Sequence, residues 1–244
     1  MKNLLILGNS HVGALKMGCE KLNFNYAENF LFHFAALPGS LSQTISLQNN
    51  ELCITENLNK KFGGLNKNLK FPIDIRNFDF IALVNMPSPL RFLNDKTYYS
   101  KNLLKKVINE LYFADQKFEK NKKLFLQLKE IIPSKLILIP CPVPIKQSIN
   151  KDSFGHTSIP SKYVLKQISL IRLICDEFWK EEKKVSILLP PENLLENKLN
   201  TKEKYIRGGF GWDGIEHERK NDLSHMNADY GLEIILSLIN KLKI

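Results

Sequence analysis

"LLILGNSHVGALK", residues 4–16, is an unbroken apolar run followed by Gly8, Asn9, Ser10 and His11, and then by a stretch of helical character. A short continuous apolar run suits a strand buried on both faces, as in a parallel sheet. Glycine and small polar residues mark the corner where that strand gives way to a helix. Three kinds of chemistry use such a corner. A P-loop requires G-x-x-x-x-G-K-[ST]; Gly8 and Gly13 have this spacing, but Ala14 and Leu15 stand where the lysine and hydroxyl belong. A dinucleotide-binding turn requires G-x-G-x-x-G, and Ser10 holds the second glycine position, where a Cβ blocks the approach of a pyrophosphate. The third use makes Ser10 itself the reacting group, its hydroxyl set beside backbone N–H groups at a helix N-terminus. Ser10 can equally be read as a plain N-cap of the helix that begins at His11.

Working outward, the same alternation repeats along the chain. Strand-like runs occur at 3–7, 30–37, 78–85, 134–141 and 184–190, with helical stretches near 11–22, 98–131, 162–183 and 226–242. Alternating strands and helices predict an α/β fold, a three-layer α/β/α sandwich around a central, mostly parallel sheet of about five strands with a flavodoxin-like arrangement. The whole of 1–244 is expected to be a single domain, with an insertion or hairpin around 48–78. Ligands of such sheets bind beyond the carboxyl ends of the strands. Function is therefore expected in the loops "GNSH", "LPGSLSQT", "VNMPSP" and "PCPVPIK".

Composition narrows the function classes. A 43% hydrophobic content over 244 residues suits a globular chain. The cysteines at 19, 53, 141 and 175 form no C-x-x-C pair, so neither a zinc knuckle nor a disulfide scaffold is indicated. The opening "MKNLLIL" is too short for a secretory hydrophobic region, and no run approaches a membrane span. A cytoplasmic location is the expectation. The formal charge is +10, and between 101 and 135 nine lysines face four acids. There Leu104, Val107, Ile108, Leu111 and Tyr112 trace an apolar stripe and most lysines fall off it, which reads as a solvated helix face rather than a nucleic-acid surface. No nucleic-acid partner is expected.

A serine nucleophile needs a base, and the base an acid to hold its tautomer. "NDLSHMNADYG" places Asp222 and His225 three residues apart just before the last helix. "GNS" after the first strand, "PGS" after the second, an asparagine ending the third and "DLSH" before the final helix follow the order of blocks in the SGNH (GDSL-type) hydrolase superfamily, which this chain resembles over nearly its whole length. The resemblance implies Ser10 as nucleophile, His225 as general base and Asp222 as its orienting acid. It also implies an oxyanion hole formed by the backbone N–H groups of Ser10 and Gly39 and the side chain of Asn85.

Two departures stand out. Asn9 occupies the usual aspartate position of the first block, and in the third block Leu83 and Met86 flank Asn85 where that family has glycine and aspartate. The resemblance further implies an ester hydrolase acting on small acyl groups, acetyl above all, on carbohydrate. An O-acyltransferase of glycan biosynthesis would use the same triad. A non-catalytic glycan- or polyanion-binding module on this fold is the reading from another class. His11, His156 and Trp212 are candidates for lining the substrate site, Trp212 as a sugar-stacking platform. Asp213, His217 and His225 match no standard metal spacing, so no metal and no cofactor are expected.

Overall fold

The computed structural model describes residues 1–22, 28–37, 45–54, 69–86, 88–92, 98–114, 119–131, 135–143, 162–182, 185–206, 208–210, 216–217 and 225–243. In chain order the elements are β1 (Lys2–Gly8), α1 (His11–Glu20), β2 (Phe30–Ala36), β3 (Ile45–Gln48), β4 (Glu51–Ile54), β5 (Ile73–Asp74) and β6 (Phe80–Met86). There follow α2 (Lys101–Ala114), α3 (Glu119–Ile131), β7 (Lys135–Pro140), α4 (Lys162–Glu182), β8 (Val185–Ile187), β9 (Leu195–Glu196), β10 (Asn200–Thr201), β11 (Gly209–Phe210), β12 (Glu216–His217) and α5 (Ala228–Leu242). Short 3-10 turns separate several of them.

Five strands form the central sheet in the order β2-β1-β6-β7-β8. Every pairing within it is parallel. Because strand side chains alternate between faces, β1 divides its apolar residues between two cores. Leu5 and Leu7 join Ile81, Leu83, Leu136 and Leu138 beneath α2, α3 and α4. Leu4 and Ile6 join Ala82, Val84, Ile137 and Ile139 beneath α1 and α5. All four β1 residues are fully buried, which accounts for the unbroken apolar run. The molecule is thus a three-layer α/β/α sandwich. Between β2 and β6, strands β3, β4 and β5 form a separate antiparallel sheet.

The stretch read from sequence as one helix over 98–131 is divided into α2 and α3. A straight helix of that length would run roughly 50 Å, about twice the width of five strands spaced about 4.8 Å apart. Division lets one long amphipathic segment cover the same face: Leu104 and Ile108 of α2 share a core with Leu124, Phe125 and Leu128 of α3. Lys106 on α2 is solvent-exposed, 3.8 Å from Glu110.

On the other face, α1 and α5 cross closely because glycine sits at the contact. A Cβ on Gly231 would lie 1.8 Å from the Ala14 carbonyl oxygen, and one on Gly18 would lie 2.1 Å from the Leu232 nitrogen. Lys21 at the end of α1 meets Asp229 in the first turn of α5 at 2.6 Å. Both side chains are largely exposed, so the glycine packing matters more than the ion pair. Among the described residues, no helix is long and apolar enough to cross a membrane.

Candidate active site

The sheet order reverses between β1 and β6, since the chain runs outward from β1 to β2 and then returns past β1. A crevice opens at such a switch point beyond the carboxyl ends of the strands. Ser10 follows β1 at this point, and β6 beside it ends in Asn85 and Met86.

The corner at Ser10 is built from its own neighbours. Gly8 is required because a Cβ there would lie 2.4 Å from the Val84 carbonyl oxygen and 2.7 Å from Val12 Cγ2. Asn9 Oδ1 accepts the His11 N–H at 3.2 Å. The Asn9 and Ser10 carbonyls accept the N–H groups of Val12 and Gly13, each at 3.0 Å. Ser10 occupies the N-cap position of α1, yet its side chain makes no capping hydrogen bond. Asn9 does that work, with the same kind of acceptor oxygen that an aspartate would offer.

The hydroxyl is instead 2.7 Å from His225 Nε2. Residues 215 positions apart are joined because His225 lies two residues before Asn227, the N-cap of α5, and α5 crosses α1. Nε2 accepts the serine proton only when the imidazole proton resides on Nδ1, the tautomer that a nearby carboxylate stabilises. The His11 ring lies 5.9 Å from that of His225, centroid to centroid, tilted by 41°. His11 therefore belongs to the same cluster.

Asp222, Gly39, His156 and Trp212, like Asp213, lie outside the described residues, as do the side chains of Asn85 and His217. The backbone of Asn85 is described and carries a signal. Val84 pairs with Ile139 and Met86 with Pro140, so Asn85 is the extra residue of a bulge at the carboxyl end of β6. Bulges at such positions re-aim side chains next to active sites.

Two residues that the sequence reading did not single out contact the histidine segment. Gly209 of β11 packs on His225 so closely that a Cβ would lie 2.7 Å from both the His225 Cβ and its carbonyl oxygen. Asn227 ties the same segment to residues 204 and 205 through its backbone N–H and its side-chain amide. The N-cap role of Asn227 is readable in "NADY", where an acid follows in the first turn. Nothing in "RGGFG" tells which glycine bears the contact.

Burial raises the Tyr230 hydroxyl well above the ordinary phenol range, with the charge of Cys141 adding to it, so the first turn of α5 stays neutral on its inner side. Burial also pushes the Cys19 thiol up to about 11 and the Cys175 thiol to about 12, which leaves both unreactive. Among the described residues no three His, Cys, Asp or Glu side chains gather as a metal site.

No protein-family model matches the chain, and no curated protein matches it. It is similar to several solved structures. One is the periplasmic domain of a lipopolysaccharide acetyltransferase from Salmonella ser. Paratyphi A, at 15% identity and a TM-score of 0.42, covering 100% of this chain and 84% of that one. Another is an active-site mutant of a family two carbohydrate esterase from Clostridium thermocellum, at 9% identity and 0.42, covering 99% of this chain and 63% of that one. A third is phospholipase A1 from Streptomyces albidoflavus NA297, at 12% identity and 0.38, covering 98% of each chain. At scores this low the weight falls on the strand order and on the contact between Ser10 and His225.

Proposed function

We propose that this chain performs serine-dependent acyl-ester chemistry as a divergent SGNH-type enzyme. One observation carries the reading: the Ser10 hydroxyl, released from capping α1, lies at hydrogen-bond distance from an imidazole nitrogen at the switch point of a parallel sheet. In the proposed reaction His225 Nε2 accepts the proton as Ser10 Oγ attacks the ester carbonyl. The N–H groups of Ser10 and Gly39 and the amide of Asn85 donate to the oxyanion. Collapse of the tetrahedral species breaks the bond to the leaving alkoxide, which takes the proton back from His225. Water, deprotonated by the same imidazole, attacks the acyl carbon; collapse breaks the bond to Ser10 Oγ, which recovers the proton from His225 as the acid leaves. Asp222 holds the Nδ1–H tautomer throughout.

The proposed substrate is an acyl ester of a carbohydrate, with acetyl the acyl group. His11, His156 and Trp212 are the proposed contacts to it. A fluorophosphonate probe tests the mechanism directly, because only an activated serine reacts with it. Mass spectrometry should find the adduct on the peptide carrying Ser10. An unlabelled, folded protein would return Ser10 to the role of a helix-corner residue and favour a binding module.

A further inference from the structure

We infer that Gly209 and Asn227 are positioning residues that hold the His225 imidazole against Ser10, with a strap formed by residues 204–206 and 208–209 acting as their common support. The inference rests on the catalytic pair proposed above. His225 precedes α5 and belongs to no helix or strand, so no regular hydrogen-bond ladder fixes its backbone. Contacts at His225 itself and at Asn227 do so instead.

At one anchor, Asn227 forms more bonds than a helix cap needs. Capping uses only its Oδ1, which accepts the Tyr230 N–H at 3.1 Å. Its Nδ2 donates to the Lys204 carbonyl and its backbone N–H to the Tyr205 carbonyl, each at 2.8 Å. Both extra bonds run to the strap. At the other anchor the strap turns at Gly208, whose φ of 71° lies in the left-handed region that favours glycine. It then delivers Gly209 against the Cβ, carbonyl carbon and carbonyl oxygen of His225. Gly209 is itself paired with His217 of β12, so it cannot easily recede. One short segment therefore holds the chain at His225 itself and again two residues later at Asn227, with buried Met226 between the two anchors.

The experiment compares fluorophosphonate labelling rates of the full-length protein and its Gly209→Ala, Asn227→Asp and His225→Ala variants, with thermal melting alongside. Asn227→Asp keeps an oxygen to cap α5 but loses the donor to Lys204, so it separates positioning from capping. Displacing a reacting group by about 1 Å costs on the order of 10²-fold. Gly209→Ala is expected to label slower by about that factor, and Asn227→Asp by about tenfold or more, at a temperature where the melting curves show both variants fully folded although overpacking and the lost bond lower their midpoints. Added imidazole should speed Gly209→Ala and His225→Ala but not the unaltered protein, a response that a loosened fold would not give. Labelling of both positioning variants at the unaltered rate would overturn the inference while leaving the catalytic pair intact. Failure of the unaltered protein to label would overturn the pair and the inference with it.

Discussion

Ser10 and His225 approach within 2.7 Å of one another, yet they are held by different means. The seat of the serine is built mainly by consecutive residues: Asn9 closes the first turn of α1, and Gly8 lets the corner lie against Val84 of the adjacent strand β6. The seat of the histidine is assembled from afar, out of the strap of residues 204–206 and 208–209, the cap at Asn227 and the crossing of α1 with α5. Such a local seat as the serine's is complete once β1, its neighbour β6 and one turn of α1 exist. A distributed seat depends on the packing of three separate segments, so the pair is most vulnerable on the histidine side.

The largest expected effect tests the pair itself. Ser10→Ala and His225→Ala should each lower turnover of a simple acetyl ester by roughly 10⁴-fold or more, with the fold retained by circular dichroism. Added imidazole should restore part of the activity of His225→Ala and none of Ser10→Ala, since a missing base can be supplied from solution and a missing nucleophile cannot. Rescue of both would break the distinction. Next comes Asn85→Ala at the bulge, which should slow single-turnover acylation by about 10²–10³-fold with little change in substrate affinity, because an oxyanion donor acts mainly in the transition state. A change confined to affinity would place Asn85 with the substrate contacts.

Gly231→Ala probes the distributed seat. Its new methyl must push the Ala14 carbonyl away, and overpacking of this kind costs about 1–3 kcal/mol in denaturant unfolding. Labelling of Ser10 should fall in step, as α5 carries His225 outward. Asn9 probes the local seat with a smaller effect: Asn9→Ala should cost about 1 kcal/mol, whereas Asn9→Asp keeps the acceptor and should be nearly neutral in stability. Equal losses from the two changes would mean that the side-chain oxygen is not what holds the corner.

The smallest effect concerns pH and serves as a background to subtract. His33 is half-buried on the β2 face opposite α1 and α5, edge-on to Phe78 at 5.2 Å, and burial lowers its pKa below 6.5. The unfolded chain therefore takes up the proton first. Stability from this residue is full above about pH 6.5 and declines as pH falls toward the folded value. His33→Gln should flatten the acid side of the stability profile and leave the pH dependence of turnover otherwise unchanged.

How far the sequence disclosed these features follows from the same contrast. The apolar runs Leu4–Leu7 and Ile81–Val84 announced strands covered on both sides, and their alternation with helices led to the layered sheet. The corner at Ser10 was legible because the residues of its own turn, Gly8 to Gly13, are consecutive, although the Val84 carbonyl that Gly8 makes room for was not. The division of the lysine-rich segment into α2 and α3 was not, since the amphipathic pattern of the sequence continues from one helix to the next without interruption. Nor was the seat of His225. A glycine whose missing Cβ matters to a residue sixteen positions later has no local signature, and Gly18 and Gly231 gained meaning only once α1 and α5 were seen to cross.

The 215 positions that separate Ser10 from His225 also order events in time. At about 5–20 residues per second on the ribosome, the serine corner precedes His225 by on the order of ten to forty seconds. During that interval β1 and β2 can pair around an alcohol with nothing to deprotonate it. Docking of the last helix on the first is a long-range contact of the kind that forms late in folding. Under the proposed mechanism, catalytic competence and completion of the tertiary structure are the same event, and a nascent or truncated chain lacking residue 225 is expected to be chemically silent toward esters.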